Sequence, residues 1–299
     1  MSDLGPSLTP LAGGHSGRTF LGEVGGERAV VRVYPPGDER GPGAPEVDAA
    51  VLRLVRGLVP VPEVVEVRRP QPEDGLPGLL VTQWLPGERG DLALADLVAR
   101  DDVEALGRLG GSMGSVAGTL AGMPTLRAGP FLDAELAVGE FSDGGLAEWV
   151  ERMVDWSAPD RERLRRVAGP AQDLLDTVGR TSVVHSDLNP KNVLVGPGSD
   201  AVAAVLDWEF AHAGHPWTDV GNLLRLDRHP AYVAAVLSAW TALRGGDPDE
   251  LLAGARAADL WALVDLASRA GDNPVADRAE ELLRAIATTG DVHAWPFGR

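Results

Sequence analysis

A strongly polar segment interrupts two apolar, β-branched runs in the second half of the chain, and it constrains the fold more than any other feature. Residues 183–195 read VVHSDLNPKNVLV, which places His185, Asp187 and Asn192 between two short predicted strands. A further apolar run ends at Asp207, 20 residues after Asp187. Phosphoryl transfer needs a carboxylate facing the attacking hydroxyl and oxygen ligands for a metal ion nearby. The spacing therefore predicts Asp187 as a catalytic base, with Asn192 and Asp207 as ligands of Mg²⁺, which prefers hard oxygen atoms.

Each of these residues also has a purely structural interpretation. Asp187, in Asp-x-Asn-Pro, could be the turn residue of a hairpin, and Asp207 could cap the end of a strand. A bare turn needs no second aspartate after the next strand, so the combination favours catalysis. For His185 the structural interpretation is the stronger one, and we expect it to support the loop rather than to carry protons.

The chain is acidic, lacks cysteine and is long enough for two lobes. Its 299 residues, of which 44% are hydrophobic, can bury a large core, and the formal net charge is -17. This charge repels nucleic acid and anionic membrane surfaces, and it favours a cationic small molecule as partner. The lack of cysteine excludes disulfides and thiolate chemistry. The sequence shows no signal peptide or membrane-spanning run, so we expect a cytoplasmic protein without an obligate protein partner.

The first part of the chain alternates short strand-like runs with Gly and Pro. One helix is predicted in EVDAAVLRLVRGL. The apolar residues that recur there at helical spacing are Val47, Val51, Leu54 and Leu58. A Pro-Gly pair then marks a linker, which predicts a nucleotide-binding lobe over residues 1–86 and a second lobe over residues 87–299.

The second lobe is predicted to be mostly helical. One apolar stripe runs through DDVEALGRLGGSMGSVAGTLAGM, although its glycines argue against an unbroken helix. Further helices are predicted over residues 145–157 and 159–178, and from residue 219 to about residue 289. Three short strands form a predicted β island, at residues 182–184, 193–195 and 201–206.

Three motifs together resemble those of the aminoglycoside phosphotransferase family of small-molecule kinases. They are HSDLNPKN, LDWE and GHPWTDVGNLL. The resemblance implies an α+β, two-lobed protein-kinase-like fold, with an N-terminal antiparallel β-sheet lobe that contains one main helix and a larger, mostly α-helical C-terminal lobe. It also implies Asp187 as the base, Asn192 and Asp207 as metal ligands, and His185 and Asp219 as residues that brace the catalytic loop.

The resemblance further implies that the first lobe binds a nucleotide, either ATP or GTP. The segment TQWLPG would be the hinge whose backbone binds adenine, near Gln83, Trp84 and Leu85. The loop LAGGHSGRTF, which contains Ser16, lies where such kinases place a loop over the phosphates. A lone glycine-rich hairpin is, however, more often an ordinary β-turn.

An arginine takes the place of the strand lysine with which protein kinases bind phosphate. The only lysine is Lys191 in the catalytic loop, and AVVRVY offers Arg32 with its permanent charge. We interpret Arg32 as the phosphate-binding cation, with a surface arginine as the alternative. Its partner is predicted to be Glu46 or Asp48, and Asp48 is favoured because it shares a helix face with apolar residues. Lys191 is either a contact to the γ-phosphate or a solvent-facing turn residue.

These features predict a phosphotransferase that uses ATP and Mg²⁺ and acts on a hydroxyl of a small, cationic molecule. The resemblance implies inactivation of an antibiotic, such as an aminoglycoside or a basic peptide of the viomycin and capreomycin kind. Homoserine, choline, a sugar or a neutral macrolide are alternative acceptors, and a catalytically silent nucleotide-binding module is a second alternative. A protein kinase is disfavoured, because the 12 residues from Asp207 to Asp219 leave no room for a long activation loop.

Acidic residues of the second lobe are candidates for holding a cationic acceptor. They are Asp133, Glu135, Glu140, Asp143, Asp227, Asp259 and Asp265. His212 and His215 stand close together in EFAHAGHPW, but two histidines without a third nitrogen or sulfur ligand make a poor zinc site. We therefore assign this pair to the loop near the acceptor.

Overall fold

The computed structural model describes residues 8–11, 18–35, 37–38, 40–141 and 144–298. It has the two-lobed α+β architecture expected from the sequence. A sheet and one main helix form the first lobe, whereas helices and two small sheets form the second. The position of the boundary after residue 86 stays a prediction.

The first lobe is an antiparallel sheet of five strands with a helix packed against it. Its elements are β1 (Thr9–Pro10), β2 (Arg18–Val24), β3 (Glu27–Tyr34), α1 (Ala44–Val55), β4 (Val64–Arg68) and β5 (Gly78–Gln83). The strands follow the order β1-β2-β3-β5-β4. The hairpin between β2 and β3 turns at Gly25 and Gly26, whose φ angles of 62° and 86° favour glycine.

Alternation along β3 gives the sheet two different faces. Ala29 and Val31 are buried in a small apolar cluster with residues of β5. Arg32 and Tyr34 point to the opposite face, where Tyr34 packs into the main core and Arg32 reaches the second lobe. The period of two along the strand thus separates core residues from a cation that faces the other lobe.

Helix α1 buries only part of the face that its apolar spacing predicted, because Val51 of that stripe is buried whereas its other end is not. Leu54 and Leu58 are exposed, whereas Leu52 and Val55 are buried. The helix ends at Val55, so Leu58 lies beyond it. The face that packs inward is the one that carries Asp48, which is buried as expected.

The second lobe contains most of the helices. Its elements are β6 (Glu88–Arg89), α2 (Gly90–Ala99), α3 (Val103–Leu120), β7 (Pro124–Thr125), β8 (Gly129–Pro130), α4 (Leu146–Met153), α5 (Ala158–Asp176), β9 (Thr181–Val184), β10 (Val193–Val195), β11 (Val202–Val205), β12 (His212–Gly214), α6 (Thr218–Leu224), α7 (Pro230–Arg244), α8 (Pro248–Ala267) and α9 (Pro274–Thr289). The helices predicted before the polar loop are confirmed in α4 and α5, and the helical region after it in α6 to α9.

Helix α3 is unbroken over 18 residues despite its glycines. Gly110, Gly114 and Gly118 recur every four residues and face α7, and a Cβ on Gly114 would stand 2.4 Å from the carbonyl oxygen of Val236. The glycines therefore let the two helices approach closely. The predicted helix is confirmed, and the sequence could not show the role of its glycines because α7 is distant in the chain.

The predicted β island consists of two separate sheets. In one, β10 lies between β11 and β6, and in the other the strand order is β7-β9-β12-β8. The strands β6, β7 and β8 are only two residues long, so they carry no periodic sequence signal. Arg89 of β6 pairs with Leu194 of β10, which ties the chain leaving the first lobe to the strand that follows the polar loop.

Two hydrophobic clusters support the second lobe. The larger one contains Tyr34, Leu52, Leu109 and Leu188, and so joins α1, α3 and the polar loop. The other lies among α4, α5, α8 and α9. Within the described ranges, no helix is both long and apolar enough to cross a bilayer.

Candidate active site

Asp187 lies in the loop between β9 and β10, and two side-chain amides hold its carboxylate. Asn189 Nδ2 donates to Oδ1 at 2.7 Å, and Asn192 Nδ2 donates to Oδ2 at 2.7 Å. Asn192 also donates to the main-chain oxygen of Asp187 at 2.9 Å. A short 3₁₀ helix, Pro190–Asn192, brings the second amide into place. The carboxylate is thus oriented on both oxygens while its residue remains partly exposed, as a base for a hydroxyl group must be.

Asp219, near the start of α6, anchors the same loop. Its Oδ2 accepts from the N–H of His185 at 3.0 Å, and its Oδ1 accepts from the N–H of Ser186 at 2.9 Å. Burial raises the pKa of Asp219 above its ordinary value, and His185 and the two N–H donors counteract this. Ser186 has a φ of 66°, a left-handed conformation that is costly for a residue other than glycine. The predicted tie between loop and helix is therefore present, and it stabilises a strained backbone.

His185 is a buried residue that connects two segments of the site. Its Nε2 lies 2.8 Å from the carbonyl oxygen of Leu206, and its Nδ1 accepts from the N–H of Asp187 at 3.2 Å. An imidazole protonated on Nε2 satisfies both contacts. The ring also packs against Trp208, with 4.6 Å between centroids. The structure therefore supports the prediction that His185 braces the loop.

Arg32, Asp207 and Glu209 form a charged cluster where the two lobes meet. Arg32 Nη1 donates to Asp207 Oδ1 at 2.8 Å, and its Nη2 donates to Glu209. Burial alone would lower the pKa of Arg32, but Glu209, Tyr34 and Asp207 raise it above its ordinary value. Asp207 has a φ of 62° and precedes a 3₁₀ turn, Trp208–Phe210, that carries Glu209. This turn brings both carboxylates to one guanidinium.

The oxygen atoms beside this cluster suit a hard metal ion. Asn192 donates through its nitrogen to Asp187, and among the described residues its side-chain oxygen accepts no hydrogen bond. Asp207 contacts Arg32 through only one of its two oxygens. In the described parts of the chain no group of three or more His, Cys, Asp or Glu could hold a metal by itself. Asn192 and Asp207 fit Mg²⁺ if phosphate oxygens and water complete its shell, which is the usual arrangement for this ion.

The predicted pairing of Asp48 with Arg32 is wrong. Asp48 Oδ2 accepts from the hydroxyl of Tyr34 at 2.6 Å, and Oδ1 accepts from Arg40 Nη1 at 2.8 Å. The other candidate, Glu46, pairs with an arginine that follows β4. Arg40 lies in the Pro/Gly-rich loop before α1, and the sequence pattern could not show that this loop returns to Asp48.

The predicted hinge lies at the end of β5, and its backbone donors are mostly occupied. The N–H of Gln83 donates to the carbonyl oxygen of Glu63 at 2.8 Å, and that of Trp84 donates to Arg28 at 3.3 Å. The N–H of Leu85 makes no hydrogen bond within the described ranges. Of the three predicted hinge residues, Leu85 is therefore the one whose N–H could bind a base.

The sequence of residues 7–253 matches the family APH, described as the phosphotransferase enzyme family. The chain belongs to this family. It is therefore a phosphotransferase, and the predicted class of small-molecule kinase is confirmed. No curated protein matches the sequence significantly.

Solved structures of aminoglycoside phosphotransferases share the fold of this APH-family chain. The GDP complex of wild-type aminoglycoside 2'-phosphotransferase-IIIa aligns with a TM-score of 0.71 at 21% identity, over 96% of this chain and 94% of that one. A thermostable variant of APH(4)-Ia, solved with ADP and hygromycin B, aligns with a TM-score of 0.61 at 20% identity, over 95% and 94%. These likenesses confirm the predicted two-lobed, protein-kinase-like fold.

Two residues of this APH-family site were missed by the sequence interpretation. Asn189 orients Asp187, and Glu209 shares Arg32 with Asp207. Each lies two residues after a predicted aspartate, in SDLN and LDWE, so its residue type and its position were a signal in the sequence. The pattern could not show which way these side chains turn.

The acidic candidates for the acceptor site have different fates. The prediction that Asp259 binds the acceptor is wrong, because Asp259 is 1% exposed and pairs with Arg225. Asp133 accepts backbone N–H groups within a turn. The candidates at the surface are Glu135, Glu140 and Asp265, the last two of which pair with arginines. Asp143 and the phosphate-loop residue Ser16 lie outside the described residues.

Asp227 remains a candidate because of its position between α6 and α7. Burial raises the pKa of Asp227 to about 6, since the opposing charge of Arg278 is offset in part by Asp91. Asp91 is in the first turn of α2, which touches the catalytic loop: a Cβ on Gly90 would lie 2.6 Å from the carbonyl oxygen of Pro190. Asp91 therefore lies beside the catalytic loop, and Asp227 is close enough to Asp91 to interact with it electrostatically.

The remaining polar candidates have structural contacts. His212 Nδ1 lies 2.9 Å from the carbonyl oxygen of Phe210, and burial lowers its pKa. His215 Nε2 lies 3.3 Å from that of Leu175, and burial lowers its pKa to about 4. Both are thus neutral at pH 7. Lys191 is exposed, which leaves its predicted contact to the γ-phosphate open.

Proposed function

We propose that this protein transfers the γ-phosphate of ATP or GTP to a hydroxyl of a small, cationic molecule, most directly an antibiotic of the aminoglycoside or basic peptide kind. The observation that carries the proposal is the partly exposed carboxylate of Asp187, held on both oxygens by Asn189 and Asn192. Related aminoglycoside phosphotransferases were solved with ADP and hygromycin B and with GDP, which supports a nucleotide and an aminoglycoside as substrates.

In this proposal Asp187 orients the acceptor hydroxyl and accepts its proton. Asn189 and Asn192 keep the carboxylate turned toward the hydroxyl, which reduces the entropy lost in reaching an in-line geometry. Asn192 and Asp207 would hold Mg²⁺, which supplies positive charge against the phosphate oxygens when it is bound. Arg32 binds phosphate oxygens from the first lobe, because a guanidinium suits them in both charge and geometry.

The base of the nucleotide binds at the hinge in this proposal. Leu85 offers a backbone N–H, whereas the N–H groups of Gln83 and Trp84 serve the sheet. The predicted role of Ser16 above the phosphates is kept as part of the proposal. A rigid hinge then fixes the base while Arg32 meets the phosphates.

The preference for a cationic acceptor rests on the charges of Asp227 and Asp91. Asp227 makes no ion pair within the described ranges, and its partly buried carboxylate has lost part of its hydration. Asp91 pairs with Arg89, but that pair is at the surface and therefore weak. An ammonium group of the acceptor between Asp227 and Asp91 would restore the balance of charge. The formal net charge of -17 would also speed the approach of such a molecule.

A panel of acceptors tests the proposal. Each acceptor is incubated with the protein and Mg-ATP or Mg-GTP, and the masses of the products are measured by mass spectrometry. The acceptors are aminoglycosides, viomycin, capreomycin, choline, homoserine, sugars and macrolides. We expect a gain of one phosphate on at least one polycationic antibiotic. A gain confined to neutral acceptors would refute the charge argument, and a gain on choline or homoserine alone would replace the antibiotic with a metabolite.

A further inference from the structure

A cavity of about 650 Å³ opens between α7 and α8, and the residues that line it are not those of the candidate active site. Its apolar wall comes from both helices and includes Val233, Leu237 and Leu252. Arg228, from the segment before α7, and Arg256, from the middle of α8, line the same cavity. Its volume lies within the range typical of sites for small organic molecules.

The two arginines, of which Arg256 is buried and Arg228 is partly exposed, are poorly neutralised. Arg256 is 6% exposed, and its Nη1 donates to the carbonyl oxygen of Leu224. Arg228 Nη1 donates to the carbonyl oxygens of His293 and Ala294. The Nε atoms of both guanidiniums are buried without a hydrogen-bond partner. Neither arginine forms an ion pair in the described parts of the chain.

Nearby carboxylates do not cancel this charge. Asp291 acts electrostatically on Arg228, but within the described ranges the two form no ion pair. Asp259, which acts electrostatically on both arginines, is already paired with Arg225 at 2.7 Å. Asp249 lines the cavity but is exposed and makes no ion pair with either arginine. Burial and mutual repulsion among the guanidiniums lower the pKa of Arg228 to about 9, and burial lowers that of Arg256 to about 10. A protein with an overall charge of -17 thus keeps an uncompensated positive cluster beside a cavity.

We propose that this cavity binds an amphiphilic anion, whose carboxylate or phosphate group meets Arg228 and Arg256 and whose apolar part lies against Val233, Leu237 and Leu252. Trp295 stacks on Arg228, with the guanidinium carbon 4.4 Å from the ring centroid, and so holds one cation in place. The anion would remove a cost that the folded protein otherwise bears, because an unpaired buried charge is strongly unfavourable. The site is separate from phosphoryl transfer and requires neither ATP nor the acceptor.

Binding of chosen probes to the nucleotide-free protein tests this inference. The probes are octanoate, octyl phosphate, inorganic phosphate and octylamine. Isothermal titration calorimetry measures the binding of each probe, and the melting temperature of the protein is measured with and without it. We expect one molecule of octanoate or octyl phosphate to bind and to raise the melting temperature, and the tighter of the two identifies the headgroup. Inorganic phosphate should bind at least about tenfold more weakly, because it lacks the buried apolar part. Octylamine binding as tightly as both anions, or no binding of either anion, would overturn the proposal.

Matched variants locate the site. Arg228→Gln should weaken octanoate or octyl phosphate at least about tenfold, the value of one charge-assisted hydrogen bond. Ala234 and Ala242 are both exposed alanines of α7, but only Ala234 lines the cavity. Ala234→Glu should supply the missing carboxylate, raise the melting temperature and abolish binding, whereas Ala242→Glu should change neither. Equal behaviour of these two variants would refute the site even if Arg228→Gln fails to fold.

Discussion

At the scale of single residues, Arg32 controls the charge balance of the proposed phosphate site. It faces two carboxylates, Asp207 and Glu209, and the side chain of Glu209 is 6% exposed. A buried carboxylate that loses its cation is costly, and a divalent metal is the natural replacement. The same oxygens are therefore expected to serve the guanidinium and the ion in turn.

Arg32→Gln tests this balance without a measurement of catalysis. The variant should lose about 1–3 kcal/mol of stability, because Asp207 and Glu209 are left close together without the guanidinium. Millimolar Mg²⁺ should then raise its melting temperature by more than it raises that of the wild type. Arg56→Gln, which removes an exposed pair with Glu63, serves as control and should change neither quantity. An equal effect of Mg²⁺ on Arg32→Gln and wild type would contradict the shared site.

The sequence predicts Asp187, Asn192 and Asp207 as site residues because their order and spacing are local. The arrangement of their side chains in space still depends on contacts between distant parts of the chain. Glu209 was missed for this reason, since its partner Arg32 lies on β3 of the other lobe. Local spacing thus predicts the candidate residues for the chemistry, whereas the fold determines which cation neutralises them.

At the scale of elements, the packing of α3 against α7 supports the polar loop from behind. Gly114 allows the contact, because any side chain there would meet the backbone of Val236. The site depends on this pair of helices, since α3 also contributes Leu109 to the cluster that holds the loop residue Leu188. The helix itself could be predicted from its apolar period, but the role of its glycines could not.

Two alanine substitutions on α3 distinguish the effect of close packing against α7 from the effect of helix propensity. Gly114→Ala should destabilise the protein by about 1–3 kcal/mol through overpacking. Gly111→Ala, three residues earlier, has no atom within 4 Å of the added Cβ and should stabilise by about 0.5–1 kcal/mol. Chemical denaturation of both variants measures the difference. Similar effects at the two positions would show that close approach to α7 does not constrain Gly114.

At the scale of the whole molecule, we propose that the formal net charge of -17 attracts a cationic acceptor and that Asp227 binds it. Asp227 has a pKa of about 6, against an ordinary value of 3.8, so the folded protein binds its proton more tightly than the unfolded chain does. The contribution of Asp227 to stability therefore falls as pH rises from about 4 to 6, and the ionised carboxylate is a cost at neutral pH. Such a cost is typical of functional groups.

Asp227→Asn should remove the cost in stability of the ionised carboxylate and should weaken binding of the acceptor at the same time. Relative to wild type, the variant should be more stable at pH 7.5 by about 1–2 kcal/mol, with little difference at pH 4.5. The KM for a polycationic acceptor should rise at the same time, since a cation loses its partner. Unfolding curves at the two pH values and acceptor kinetics measure both effects. A stability difference that is equal at both pH values, or an unchanged KM, would contradict this role of Asp227.

The central claim is that Asp187 drives phosphoryl transfer, and single-site kinetics test it most directly. The rate of phosphate transfer from Mg-ATP to the best acceptor of the panel is compared between wild type, Asp187→Asn and the control Asp173→Asn, which changes an exposed residue of α5. We predict that Asp187→Asn lowers kcat by about 10²- to 10⁴-fold, while its melting temperature and the kinetics of Asp173→Asn stay near wild type. A folded Asp187→Asn variant that keeps kcat within a few-fold of wild type would contradict the account.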